Sequence, residues 1–137
     1  MSKIFLDTNL FIYALDGSDA RKQARARACL KQVMEHRQGV ISTQILQEYY
    51  VVATRKLGVE PAAAKRQVQS LGQIETVLVT PALIHEAIDT CADEKISFWD
   101  SLLIAAARFA GCVEIYTEDL NPGQLISGVE IVNPLRD

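Results

Sequence analysis

Four acidic residues, Asp7, Glu48, Asp100 and Asp119, fall where the surrounding pattern predicts the edge of a buried core and not open solvent. Burying an ionised carboxylate is costly and neighbouring carboxylates repel, so such a set persists where something cationic compensates it. Oxygen donors with no histidine or cysteine among them suit a hard divalent ion, Mg²⁺ or Mn²⁺. The four together therefore read as a metal site. Taken singly, each has an ordinary explanation. Ser97-Phe98-Trp99-Asp100 matches a helix capping box, and Asp7-Thr8-Asn9 matches an Asx turn entering a helix. Glu48 reads as a flanking residue on a helix, and Glu118-Asp119 ahead of Asn121-Pro122-Gly123 reads as turn chemistry. It is the conjunction that favours a ligand set.

The elements that would hold these acids are legible from periodicity. Lys3 to Leu6 and Cys112 to Tyr116 are short apolar runs that predict buried strands, and Asp7 and Thr117-Glu118-Asp119 follow their ends. Ligands of open α/β sheets bind beyond the carboxyl ends of strands, so acids leaving two strand ends can converge there. Asp100 opens a helical stretch in which Leu103, Ile104 and Ala107 lie on its own face. Glu48 flanks the Ile45/Tyr49/Val52 stripe of another helix. Between them, helices are expected at Asn9–Leu15, Asp19–Arg37, Thr43–Leu57, Pro61–Leu71 and Pro81–Asp93, and strands at Gly39–Ser42, Glu75–Val79 and Val129–Val132. That alternation predicts a parallel sheet flanked by helices.

The chain has 137 residues, 49% hydrophobic and 23% charged, which fits one globular domain over residues 1–137 and leaves no need for a second. Met1 to Leu6 meets Asp7 too soon for a signal-peptide core, and Arg108 stops the longest apolar run, so a soluble cytoplasmic protein is expected. Cys29, Cys91 and Cys112 have no C-x-x-C spacing and read as reduced packing residues. His36 and His85 lie far in sequence from each other and from the acids, which gives Ser-His-Asp or zinc chemistry little support. A net charge of −3 argues against coating nucleic acid by electrostatics alone, though not against an enzyme. Arg21, Lys22, Arg25 and Arg27, and Arg55 with Lys56, are either solvated helix faces or phosphate contacts.

The order strand-Asp7-Thr8-Asn9, Ser42-Thr43 leading to Gln47-Glu48-Tyr49-Tyr50, Phe98-Trp99-Asp100-Ser101, then Tyr116-Thr117-Glu118-Asp119-Leu120 resembles the PIN-domain ribonucleases, and within them the VapC-type toxins of toxin–antitoxin pairs. The resemblance runs the length of the chain. It implies a three-layer α/β/α sandwich with a mainly parallel sheet of about five strands. Carried over, the catalytic and metal-binding acids are Asp7, Glu48, Asp100 and Asp119, with Asn9 and Thr117 orienting them. Whether Asp119 or Glu118 faces the metal stays open, as does whether Glu48 acts directly or through water. The implied reaction is hydrolysis of RNA by water activated by one or two Mg²⁺ or Mn²⁺ ions, leaving 5′-phosphate and 3′-hydroxyl ends. A homodimer and a cognate antitoxin, blocking the site with an arginine, are implied partners. Phe11, Tyr13, Tyr49 and Tyr50 are either part of a groove for it or core.

Rival readings fit less well. A haloacid-dehalogenase-like phosphatase needs a second Asp where this chain has Asn9. A phosphoacceptor receiver needs a Lys where Glu118 follows Thr117. A non-catalytic PIN-like module that binds RNA or protein has no need to gather repelling carboxylates.

Overall fold

The run Lys3–Leu6 forms strand β1, in which Ile4, Phe5 and Leu6 are all fully buried. A strand with no solvated face needs its sheet covered on both sides. The computed structural model, which describes residues 2–136, supplies that cover. After β1 come α1 (Thr8–Leu15), α2 (Ala20–His36), β2 (Gln38–Ser42), α3 (Thr43–Arg55), α4 (Pro61–Leu71) and β3 (Glu75–Val77). Then follow α5 (Pro81–Glu94), α6 (Phe98–Phe109), β4 (Glu114–Tyr116), β5 (Leu125–Ile126) and β6 (Val129–Val132). The sheet order is β3-β2-β1-β4-β6-β5, with every pairing parallel except β5 with β6.

The mainly parallel α/β architecture agrees with the expectation, with one strand more than the five foreseen. The addition is β5, only two residues long and joined to β6 by Ser127-Gly128, both at positive φ (50° and 83°). Positive φ at both central positions is the I′ hairpin pattern, whose twist matches paired strands. Two expected strands are shorter than periodicity suggested. β3 ends at Val77, and the Val79 N–H turns away to the Thr43 hydroxyl (3.2 Å). β4 starts only at Glu114, because the Cys112 N–H closes the end of α6 on the Ala107 carbonyl (2.9 Å).

Helix α6 is buried without interruption from Ser101 to Ala107. A helix apolar all round belongs inside. It packs against β2, β4 and β6 on one side and carries α5 on the other, while α1 packs on α2 and α3. At its N-terminal end stand the exposed Ser97 cap and the half-buried Asp100. The three cysteines are free, and burial pushes the Cys29 thiol up to about 11 and the Cys112 thiol up to about 12. Those two stay neutral thiols at ordinary pH, as packing residues should. No helix among the described residues is long and apolar enough to cross a membrane.

Candidate active site

The register of β1 with β4 pairs Leu6 with Tyr116, so Asp7 and Thr117 leave the sheet side by side. The ladder continues one step, with the Asp7 N–H donating to the Tyr116 carbonyl (3.1 Å) and the Thr117 N–H to the Val132 carbonyl (2.9 Å). β1 is also where the strand order turns back, with β2 on one side and β4 on the other, and in open α/β sheets ligands bind beyond the carboxyl ends at such a point. Asp7 caps α1: Oδ1 accepts from the Thr8 N–H (2.7 Å), and Oδ2 accepts from the Thr117 hydroxyl (2.7 Å). The side chain is buried, with Asp7 only 4% exposed. Burial raises its pKa to about 7; the bonds from Thr117 and Thr8 pull down, and the charges of Asp119 and Glu48 push further up.

Glu48, half-buried on α3, accepts a hydrogen bond from the Thr8 hydroxyl (2.9 Å), and the nearby Gln44 amide, one helical turn back and donating to the Trp99 carbonyl (3.4 Å), adds to the polar bonds around it. Its pKa is raised by burial, then opposed by those bonds and raised again by Asp119 and Asp100. At Asp100, the Ser97 hydroxyl accepts from the backbone N–H (3.0 Å), so the helix cap uses none of the carboxylate. Asp119 is exposed as a residue, yet partial desolvation of its carboxyl leads the causes that raise its pKa, followed by the charges of Asp100 and Glu118, with a side-chain bond to Asp7 opposing. The four acids therefore feel one another, although only Asp7 is deeply buried.

Among the described residues, no Lys or Arg forms an ion pair with Asp7, Glu48, Asp100 or Asp119. Nor do any three described Asp, Glu, His or Cys side chains stand as a ready-made cage for a metal. The donor set, all oxygen and loosely gathered around uncompensated charge, fits a hard ion that keeps several of its waters and takes one or two carboxylates directly.

Glu118 and Asp119 part company. Glu118 turns to α1 and α2, where it accepts from the Tyr13 hydroxyl (2.8 Å), the Lys22 ammonium (3.2 Å) and the Asn9 amide (3.4 Å). Asn9, expected to orient the ligand set, thus touches Glu118 instead. Thr117 does reach Asp7, and its hydroxyl also accepts from the Asp119 N–H (3.1 Å). Sequence reasoning gave Thr8, Gln44, Tyr13 and Lys22 no role in holding these acids. Gln44 was findable four residues before Glu48 on one helical face; the other contacts span the chain. Of the aromatic residues, Phe11 and Tyr49 are core, Tyr13 is engaged with Glu118, and Tyr50 is exposed. On α2, the Arg27 guanidinium donates to the Ala14 carbonyl (2.8 Å), so at least Arg27 and Lys22 serve to tie elements together.

The sequence model of the PIN domain matches residues 4–124. The chain belongs to the PIN domain family. Among solved structures, this PIN domain is similar to the Mycobacterium tuberculosis toxin VapC20, a sarcin–ricin loop cleaving toxin (25% identity, TM-score 0.66, covering 85% of this chain and 89% of that one). A toxin–antitoxin complex from Klebsiella pneumoniae gives TM-score 0.72 at 20% identity over 96% and 97% of the two chains. VapBC2 from Rickettsia felis, bound to a DNA fragment from its promoter, gives 0.67 at 14% over 94% and 96%. The last two likenesses speak to the fold alone. No curated protein sequence matches the chain.

Within this PIN domain, Thr117→Val should act on the site through Asp7. The shape is kept, but Asp7 Oδ2 loses its buried donor, which costs about 1–3 kcal/mol. Partners of metal-binding carboxylates typically govern ~10–100-fold in affinity, so if Asp7 holds Mg²⁺ the half-saturating concentration should rise by that factor. Urea denaturation and an Mg²⁺ titration would check the two effects; an unchanged titration would show that Thr117 serves packing alone.

Proposed function

We propose that this PIN domain is a metal-dependent endoribonuclease, the toxin of a toxin–antitoxin pair, that hydrolyses RNA phosphodiester bonds. The observation that supports the reading is the charge coupling that links Asp7, Glu48, Asp100 and Asp119 by the ends of β1 and β4, with no Lys or Arg ion pair to any of them among the described residues. The likeness to a sarcin–ricin loop cleaving toxin supports the choice of a nucleolytic activity. Asp7 and Asp100 would hold Mg²⁺ or Mn²⁺, with Glu48 and Asp119 as further ligands, directly or through water. Such an ion, when bound, lowers the pKa of water and neutralises charge on the phosphate.

The chain's own residues have separate tasks. Thr117 and the Thr8 N–H fix both oxygens of Asp7. The Thr8 hydroxyl orients Glu48, which would take the proton of the attacking water. Attack by water leaves 5′-phosphate and 3′-hydroxyl ends, whereas attack by the ribose 2′-hydroxyl would leave a cyclic phosphate. The same acids suit a guanidinium, which can pair with carboxylates bidentately, and so an antitoxin arginine. A homodimer acting in the cytoplasm, with a cognate antitoxin as partner, completes the reading.

The test is transcriptome-wide mapping of RNA 5′ ends shortly after inducing the wild type or Asp100→Asn. New 5′-phosphate ends are expected with the wild type alone, and would name the target. Identical maps from two folded, antitoxin-free proteins would favour a non-catalytic PIN-like binding module.

A further inference from the structure

The loop after β4 delivers two consecutive acids to two different places, and only one of those places is closed. Glu118 sits among three donors from α1 and α2: the Tyr13 hydroxyl at 2.8 Å, the Lys22 ammonium at 3.2 Å and the Asn9 amide at 3.4 Å. Lys22 is itself held twice more, donating to the Tyr13 oxygen (3.2 Å) and lying 4.7 Å over the centre of the Tyr13 ring. Both side chains are partly shielded, Glu118 at 20% exposure and Lys22 at 37%. This is a triangle of cation, phenol and carboxylate, not a single surface pair, and networks of this kind have defined geometry where lone surface pairs do not. Glu118 and Asp119 lie in a bend just past β4, which the Asp119 N–H closes on the Thr117 hydroxyl (3.1 Å). With Glu118 held towards α2, Asp119 stays on the Asp7 side of that bend, where its charge acts on Asp7 and Glu48 and it feels that of Asp100.

We propose that Lys22, acting through Glu118 and Tyr13, is a positioning residue that holds the β4–β5 loop so that Asp119, and not Glu118, joins the metal-binding acids. The inference rests on the metal-site reading above. It gives a role to a cation in a sequence cluster that otherwise reads as a helix surface, and it explains why two adjacent acids are not interchangeable. Lys22 does not touch the acids of the crevice; its effect passes through the neighbouring residue.

The test uses the purified protein with Mn²⁺ as the probe. Mn²⁺ affinity is measured by calorimetry, and RNA cleavage as a function of Mn²⁺, for the wild type, Lys22→Met, Lys22→Arg, Glu118→Gln and the Lys22→Met/Glu118→Gln double variant. Lys22→Met and Glu118→Gln should each weaken Mn²⁺ binding by ~10–100-fold, the range typical of residues that orient metal ligands. Lys22→Arg, which keeps the cation, should retain most of the affinity. The double variant should be little worse than the more impaired single one, because both act through one contact. Wild-type Mn²⁺ affinity in Lys22→Met would overturn the clamp; if the KM for RNA then rose, Lys22 would be a phosphate contact instead. Absence of Mn²⁺ binding by the wild type itself, or equal binding by Asp7→Asn, would overturn the metal site and the clamp together, which distinguishes that failure from the first.

Discussion

Asp7→Asn is expected to lower RNA cleavage by the purified protein about 10³-fold or more while the fold survives. The size follows from the several kcal/mol of transition-state stabilisation that a bound ion supplies, at about 1.4 kcal/mol per tenfold in rate. Survival of the fold follows from the local bonds. Asparagine keeps an oxygen for the Thr8 N–H at the head of α1, and its amide can donate to the Thr117 hydroxyl, which rotates to accept. Cleavage of a target RNA at saturating Mg²⁺, with circular dichroism as the control of folding, measures the effect. Wild-type rates in a folded variant would remove Asp7 from the machinery.

The same residue should make the metal-free protein less stable as pH rises. Its carboxyl has an ordinary pKa of 3.8 and a folded value of about 7, chiefly because it is buried. Below pH 4 both folded and unfolded chains hold the proton, so nothing is lost. Between 4 and 7 the unfolded chain gives up the proton while the folded chain retains it, and stability falls throughout that window. Above 7 the full penalty stands, on the order of 4 kcal/mol. Urea denaturation of metal-free wild type and Asp7→Asn across pH 4 to 8 should therefore diverge, with the variant gaining most at pH 8 and nothing at pH 4. Added Mg²⁺ should restore the wild type, and more so at pH 8 than at pH 5, where binding must first displace the proton. Parallel pH profiles for the two proteins would contradict burial of Asp7 as the source.

Much of this arrangement is legible in the sequence, and for physical reasons. The apolar run Ile4-Phe5-Leu6 has nowhere to go but the centre of a covered sheet, and an acid directly after such a strand stands at its carboxyl end. Pro61, Thr80-Pro81 and Ser97 mark helix starts by chemistry that depends on a few neighbouring residues. What was hidden depends on partners far apart in the chain. Nothing local to Glu118 says that Tyr13 and Lys22 will meet it, and nothing local to Asn9 says that it will face Glu118 and not the ligand acids. β5 escaped because two residues carry no periodicity; the Ser127-Gly128 turn was its one available sign. The sequence also left open whether Asp119 or Glu118 faces the metal, and it offered no sign that Asp119 is the more exposed of the two.

The parallel pairing of β1 with β4 has a consequence in time as well as in space. β1 is made first and finds β2 soon afterwards, but its other edge stays open until Glu114–Tyr116 has been synthesised. Until then Asp7 has neither the Thr117 hydroxyl nor Asp119 beside it. A nascent chain leaving the ribosome would thus carry Asp7, Glu48 and Asp100 without an assembled crevice. Under the proposed activity, a chain that has not yet made β4 would be harmless to the RNA that is making it, a delay set by strand order.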